Sequence, residues 1–130
     1  VLDSAMADVT LGIQSGAVTA LSAPVFFKPG DVIETTLVFS NTGDVAINGV
    51  AYLEVYPTNE VTRTAIFTQT ISHLLPAQSI TFTPSWNTTG VAAGDYRIIG
   101  YVKYAENLTS NAQEINISTT AKLYLPLLTR

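Results

Sequence analysis

A chain of 130 residues is one domain's length, long enough to bury a two-sheet core without disulfide or metal staples. It has no cysteine, which excludes disulfide scaffolds and thiolate metal sites. The net charge is −4, and the six basic residues are scattered from Lys28 to Arg130. Nucleic acid needs clustered Lys and Arg, so it is excluded as a partner.

Polarity comes from eighteen Thr and nine Ser rather than from charge, which is confined to 12% of residues. Threonine favours strands because its branched Cβ suits a pleated surface. No apolar run approaches the roughly 20 residues that cross a bilayer, so no membrane span is expected. The chain starts at Val1 without an initiator Met or signal peptide, and Val1 reads as a processed start. Together with the missing cysteines this points to export from a prokaryotic cell, to an extracellular or cell-surface location.

Alternation with period two runs through the chain, the mark of half-buried strands. At the head, Val9, Leu11 and Ile13 share one face, with Thr10 and Gln14 on the other. Gly16 is expected to break this run before a short segment through Val18 to Leu21. After Phe26 the Lys28-Pro29-Gly30-Asp31 turn leads into Ile33, Thr35, Leu37 and Phe39, stopped by Asn41-Thr42-Gly43-Asp44.

The next strand runs near Val50 to Tyr56, with Ala51, Leu53 and Val55 inward and Glu54 outward. Val61 to Ile71 reads as a polar, Thr-rich strand near an edge. Pro76-Ala77-Gln78-Ser79 turns into Ile80, Phe82 and Pro84, ending at Trp86. Tyr96, Ile98, Gly100 and Val102 follow, then Ile115 and Ile117. No helical stripe and no internal repeat occur. Seven to nine strands at this turn spacing predict an all-β fold, an immunoglobulin-like (Ig-like) antiparallel β-sandwich.

Three stretches carry a resemblance. They are Phe27 to Gly43 (a Pro-Gly turn, a strand and an Asn-x-Gly), Leu75 to Trp86, and Ala93 to Tyr101. They are similar to the bacterial Ig-like domains called CARDB, a cell-adhesion-related family near fibronectin type III in architecture. The resemblance covers about residues 25–105. It implies a tyrosine corner at Tyr96, a phenol bonded back to the preceding loop. Such modules serve as spacers, adhesins and glycan binders, so it specifies fold better than function. The expected organisation is an N-terminal strand extension over 1–24, the sandwich over 25–118 and a C-terminal tail over 119–130.

Catalysis is not expected. His73, the lone histidine, would be the base for any serine nucleophile, yet its neighbour Ser72 points to the opposite strand face. No calcium loop or other metal motif appears, and Asn41 and Asp44 read as turn formers. No cofactor is implied. Asn87, Asn107 and Asn116 each begin an Asn-x-Ser/Thr sequon and are candidate glycosylation sites. Trp86 and the tyrosines at 52, 56, 96, 101, 104 and 124 invite a sugar-binding reading. Trp86, however, falls in phase with Ile80 and Phe82 and is expected in the core, while Tyr101 lies on the opposite face from Tyr96.

The tails set the functional expectation. Val9, Leu11 and Ile13 at the head form a candidate donor strand, which fills a neighbouring copy's groove and gains main-chain hydrogen bonds. Leu123, Leu125 and Leu127 form a candidate tail contact, where Pro126 disfavours a central strand. The expectation is a non-catalytic extracellular subunit of a surface filament or surface layer, a head-to-tail polymer of copies of itself. The alternative is a glycan-binding or adhesin accessory module of a larger secreted protein, with surface glycans as partners.

Overall fold

The computed structural model describes residues 12–119, and every regular element among them is a strand. They are β1 (Gly16–Ser22), β2 (Val32–Glu34), β3 (Thr36–Asn41), β4 (Ile47–Pro57) and β5 (Ala65–Leu74). Then come β6 (Ser79–Phe82), β7 (Ser85–Asn87), β8 (Asp95–Tyr104), β9 (Leu108–Thr109) and β10 (Gln113–Ser118).

The larger sheet has β8 and β4 at its centre, β5 along one edge, and β9 and β10 in succession along the other. The smaller sheet runs β1–β3–β6, and β2 pairs with β7 just beyond it. All these ladders are antiparallel. The predicted antiparallel sandwich is therefore the observed architecture, with ten strands among the described residues rather than the expected seven to nine.

The breaks within long strands have local causes. Pro84 has no N–H to continue a ladder. Its carbonyl instead accepts both the Thr35 N–H (3.1 Å) and the Thr35 hydroxyl (2.7 Å), which separates β2–β7 from β3–β6. Gly16, expected to interrupt a strand, begins one. A Cβ there would sit 2.2 Å from the Phe39 ring, so glycine lets the aromatic ring reach β1. β1 lies within the segment expected as an extension, yet it pairs along β3 and buries Val18 and Leu21. The edge strand expected over Val61 to Ile71 starts at Ala65, because the Glu60 N–H turns back to Pro57 and Thr64 returns to Val55.

The core follows the alternation. Ile33, Leu37, Phe39, Leu53, Val55, Phe82, Trp86, Tyr96, Ile98 and Val102 are buried as predicted, and Ile80, at the β6 edge, is half-buried. Burying each large apolar side chain stabilises by about 1.5–3 kcal/mol. Phe27 joins Trp86 and Tyr96 in an aromatic cluster with centroids 5.5 to 6.0 Å apart. The Tyr96 hydroxyl donates to the Ala92 carbonyl at 2.6 Å, which is the tyrosine corner the resemblance implied. No helix among the described residues is long and apolar enough to cross a membrane.

Candidate binding face

Period-two alternation sends one half of β4 and β8 into the core and the other half onto the outer surface of the larger sheet. The outward residues are Tyr52, Glu54 and Tyr56 on β4 and Arg97, Ile99, Tyr101 and Lys103 on β8. Register sets Tyr52 opposite Tyr101 and Tyr56 opposite Arg97. The rings of Tyr52 and Tyr101 stack at 5.1 Å and 10°, and the Arg97 guanidinium lies 4.6 Å from the Tyr56 ring centroid. Lys103 Nζ is 5.6 Å from the Tyr52 ring. Cation–ring contacts of this kind contribute about 0.5–1 kcal/mol at exposed sites.

Glu54 anchors the face. It points outward as expected from its phase, yet it is buried at 7% exposure because its neighbours close over it. The Tyr56 hydroxyl donates to Oε1 and the Tyr101 hydroxyl to Oε2, both at 2.6 Å. Arg63, from the loop between β4 and β5, donates to Oε2 at 3.2 Å. A carboxylate taken from water needs such partners, and here two phenols and a guanidinium supply them.

Burial pushes the Glu54 carboxyl up. The hydrogen bonds from Tyr101 and Tyr56, then the charge and hydrogen bond of Arg63, outweigh it and hold the group below the ordinary glutamate value. Burial and then the bond to Glu54 push the Tyr101 phenol up, and Tyr56 is raised chiefly by its bond to Glu54. A carboxyl held low contributes stability that is complete above the unfolded value of about 4.3 and fades as pH falls through the native one. Phenols held high contribute stability that is complete below about pH 10 and fades as pH rises through their native values. The free-energy gap between the wild type and Glu54→Gln should therefore stay flat between about pH 6 and 9 and narrow below about pH 4. Denaturant melts of both proteins across this range check it. A gap that widens in acid contradicts the arrangement.

The other sequence-derived candidates lie elsewhere. Val9, Leu11, Leu123, Leu125 and Leu127 lie outside the described residues. Ile13 is exposed at 63%, and its carbonyl accepts the Asp44 N–H of its own chain at 2.8 Å. Asn87, Asn107 and Asn116 are exposed. Asn87 Oδ1 accepts the Thr89 N–H, and Asn116 faces Arg97 across the ladder. Asn41 is buried and bonded wholly to protein groups. No three His, Asp or Glu side chains converge among the described residues. Sequence reasoning noted the tyrosines as a possible sugar platform but did not bring Tyr52, Tyr56 and Tyr101 together with Glu54 and Arg97 into one face. Its signal is Tyr-x-Glu-x-Tyr on β4 and Arg-x-Ile-x-Tyr-x-Lys on β8, the outward phase of two strands whose inward phase was read as core.

No protein-family model matches the chain, and no curated protein matches it. Solved structures do match. A β-glucosidase from Erythrobacter marinus is similar over 81% of this chain and 15% of its own, with a TM-score of 0.60 and 16% identity. The sporulation control protein Spo0M of Bacillus subtilis is similar over 82% of this chain and 49% of its own, at 0.56 and 11%. A β-D-glucoside glucohydrolase from Trichoderma reesei is similar over 81% and 19%, at 0.52 and 18%. At these identities the likeness is one of fold. The chain spans under half the length of Spo0M and under a fifth of either glycosidase.

Proposed function

We propose that this chain is a non-catalytic accessory module of a larger secreted protein at a prokaryotic cell surface, and that the outer face of its larger sheet binds a glycan. The observation that carries this is the Tyr52–Tyr101 stack and Tyr56 arranged around the bonded carboxylate of Glu54. Glycans are held by aromatic rings against their C–H faces and by charged groups on their hydroxyls, and both are present here in fixed positions. Along β4, Tyr52 and Tyr56 stand about 13 Å apart, the span of a short oligosaccharide. Two further points support the reading. The glycosidases similar to this chain carry the sandwich as a minor part of a longer polypeptide. The resemblance to cell-adhesion-related Ig-like domains implies the same setting.

A glycan array probed with the full chain tests it. The wild type is expected to be retained on at least one glycan. Tyr52→Ala should weaken retention about tenfold or more, the equivalent of about 1.4 kcal/mol, with the thermal midpoint little changed. Tyr56→Ala should weaken it as well and also lower the midpoint, because it takes a donor from the buried Glu54 carboxylate. No retention on any glycan, or retention indifferent to both substitutions, overturns the proposal.

The edge of β5, which no strand pairs among the described residues, favours a second reading, the surface filament built by strand complementation. There the head residues Val9, Leu11 and Ile13 of one copy would add to a neighbour's sheet. Sedimentation of the full chain and of a chain lacking residues 1–11 tests it. Polymer that disappears on truncation supports the reading, and a full-length chain that never polymerises rejects it.

A further inference from the structure

Unpaired strand edges are templates for another strand, and proteins guard them with charges, prolines, bulges or short length. The edges of this sandwich are guarded unequally. β1 carries a bulge between Val18 and Ala20, β6 has only four residues before the Thr83-Pro84 break, and β10 bears Glu114 and is offset from β9. β5 has none of these defences over most of its length. Ala65–Leu74 is ten residues long and contains no Lys, Arg, Asp, Glu or Pro. Among the described residues it pairs only with β4. Its one irregularity lies at the far end, where the register shifts near Gly49 and His73 adopts φ 53°.

The straight part, from Ala65 to Ile71, has its middle at Thr68. Phe67 and Gln69 are in the inward phase yet only half-buried, as expected at a rim that no further strand covers among the described residues. Ile66 on the outer face is 40% exposed.

We propose that β5 is a self-association edge, and that two copies of this chain pair antiparallel through it, about a two-fold axis near Thr68, to form one sheet continuous across both molecules. A second copy is the occupant favoured by charge. An edge without formal charge offers nothing to a charged partner strand but meets its own copy without repulsion. Antiparallel pairing of one strand with itself is the isologous arrangement that closes as a dimer. With the axis at Thr68, Ile66 lies opposite Thr70 of the second copy, and Phe67 is covered at the new seam. The two outer faces carrying Tyr52, Tyr56 and Tyr101 become one surface with two binding faces, so a multivalent glycan would be held by both.

Sedimentation equilibrium of the full chain tests the proposal, with Thr68→Lys and Thr68→Glu as variants. Thr68 is exposed, so either variant should keep the wild-type circular dichroism, and also the wild-type melt at concentrations too low for the wild type to dimerise. The wild type is expected to be dimeric. Each variant alone should be monomeric, because like charges would stand directly opposite each other. An equimolar mixture of the two should recover the dimer. A wild type that remains monomeric at several hundred micromolar overturns the proposal, as does a dimer that survives both substitutions. Fibres in place of a dimer also overturn it, in favour of strand donation by the head. Glycan retention by the monomeric variants is read separately, so failure of this proposal and failure of the binding face are distinguishable.

Discussion

Leu37→Ala is expected to destabilise the sandwich by about 2–5 kcal/mol, through lost transfer energy and the cavity left behind. Leu37 is 1% exposed, pairs with Leu21 and Phe82 in its own sheet, and faces Gly100 in the opposite one. A Cβ on Gly100 would lie 2.7 Å from Leu37 Cδ1 and 3.5 Å from Leu21 Cδ1, so the two sheets meet here at a distance only glycine permits. Gly100→Ala alone should therefore cost about 1–3 kcal/mol by overpacking. In the Leu37→Ala background the added methyl enters vacated space and its cost should fall, giving a coupling of about 0.5–3 kcal/mol in a double-mutant cycle. Denaturant melts of the four proteins measure this. Strict additivity would mean that the two residues do not meet.

Asn41→Ala is expected to cost about 2–4 kcal/mol, because it leaves the buried Leu74 carbonyl and the part-buried Val45 carbonyl and Gly43 N–H unpaired at once. Asn41 Nδ2 donates to the carbonyls of Val45 and Leu74, both at 2.8 Å, while Oδ1 accepts the Gly43 N–H at 2.9 Å. Its own N–H and carbonyl bond to Gln78 and Ala77. One side chain thus ties the β3–β4 turn to the end of β5. Asn41→Asp keeps the acceptor for Gly43 but turns a carboxylate oxygen toward two carbonyls. It should be at least as damaging at neutral pH and recover in part in acid, as the carboxyl takes up a proton. A loss under about 1 kcal/mol for either variant would show that water replaces these bonds.

The core was legible in the sequence wherever one strand face is apolar. Ile33, Leu37 and Phe39, or Ile98 and Val102, announce their direction by alternation alone, and all are buried. The tyrosine corner was legible through a resemblance, because Tyr96 stands in a recognisable stretch. Two kinds of feature stayed hidden. Gly16 looks like a breaker until the Phe39 ring is seen to occupy the space a side chain would need, a contact across 23 positions that no local pattern encodes. Glu54 looks like a solvated residue, and its phase was read correctly. What conceals it is the convergence of Tyr56 from its own strand, Arg63 from the following loop and Tyr101 from β8. Asn41 was legible as a turn former but not as a buried bracket, since the partner carbonyl of Leu74 comes from another strand.

The most direct test of the binding face is a two-dimensional amide NMR titration of the full chain with the glycan retained most strongly on the array. Resonances of Tyr52, Glu54, Tyr56, Arg97, Tyr101 and Lys103 are expected to shift together and saturate with one affinity, while those of Phe82 in the smaller sheet and of Ile33 and Trp86 in the β2–β7 ladder stay in place. Shifts confined to the smaller sheet or to the loops between strands would contradict the assignment of binding to this face.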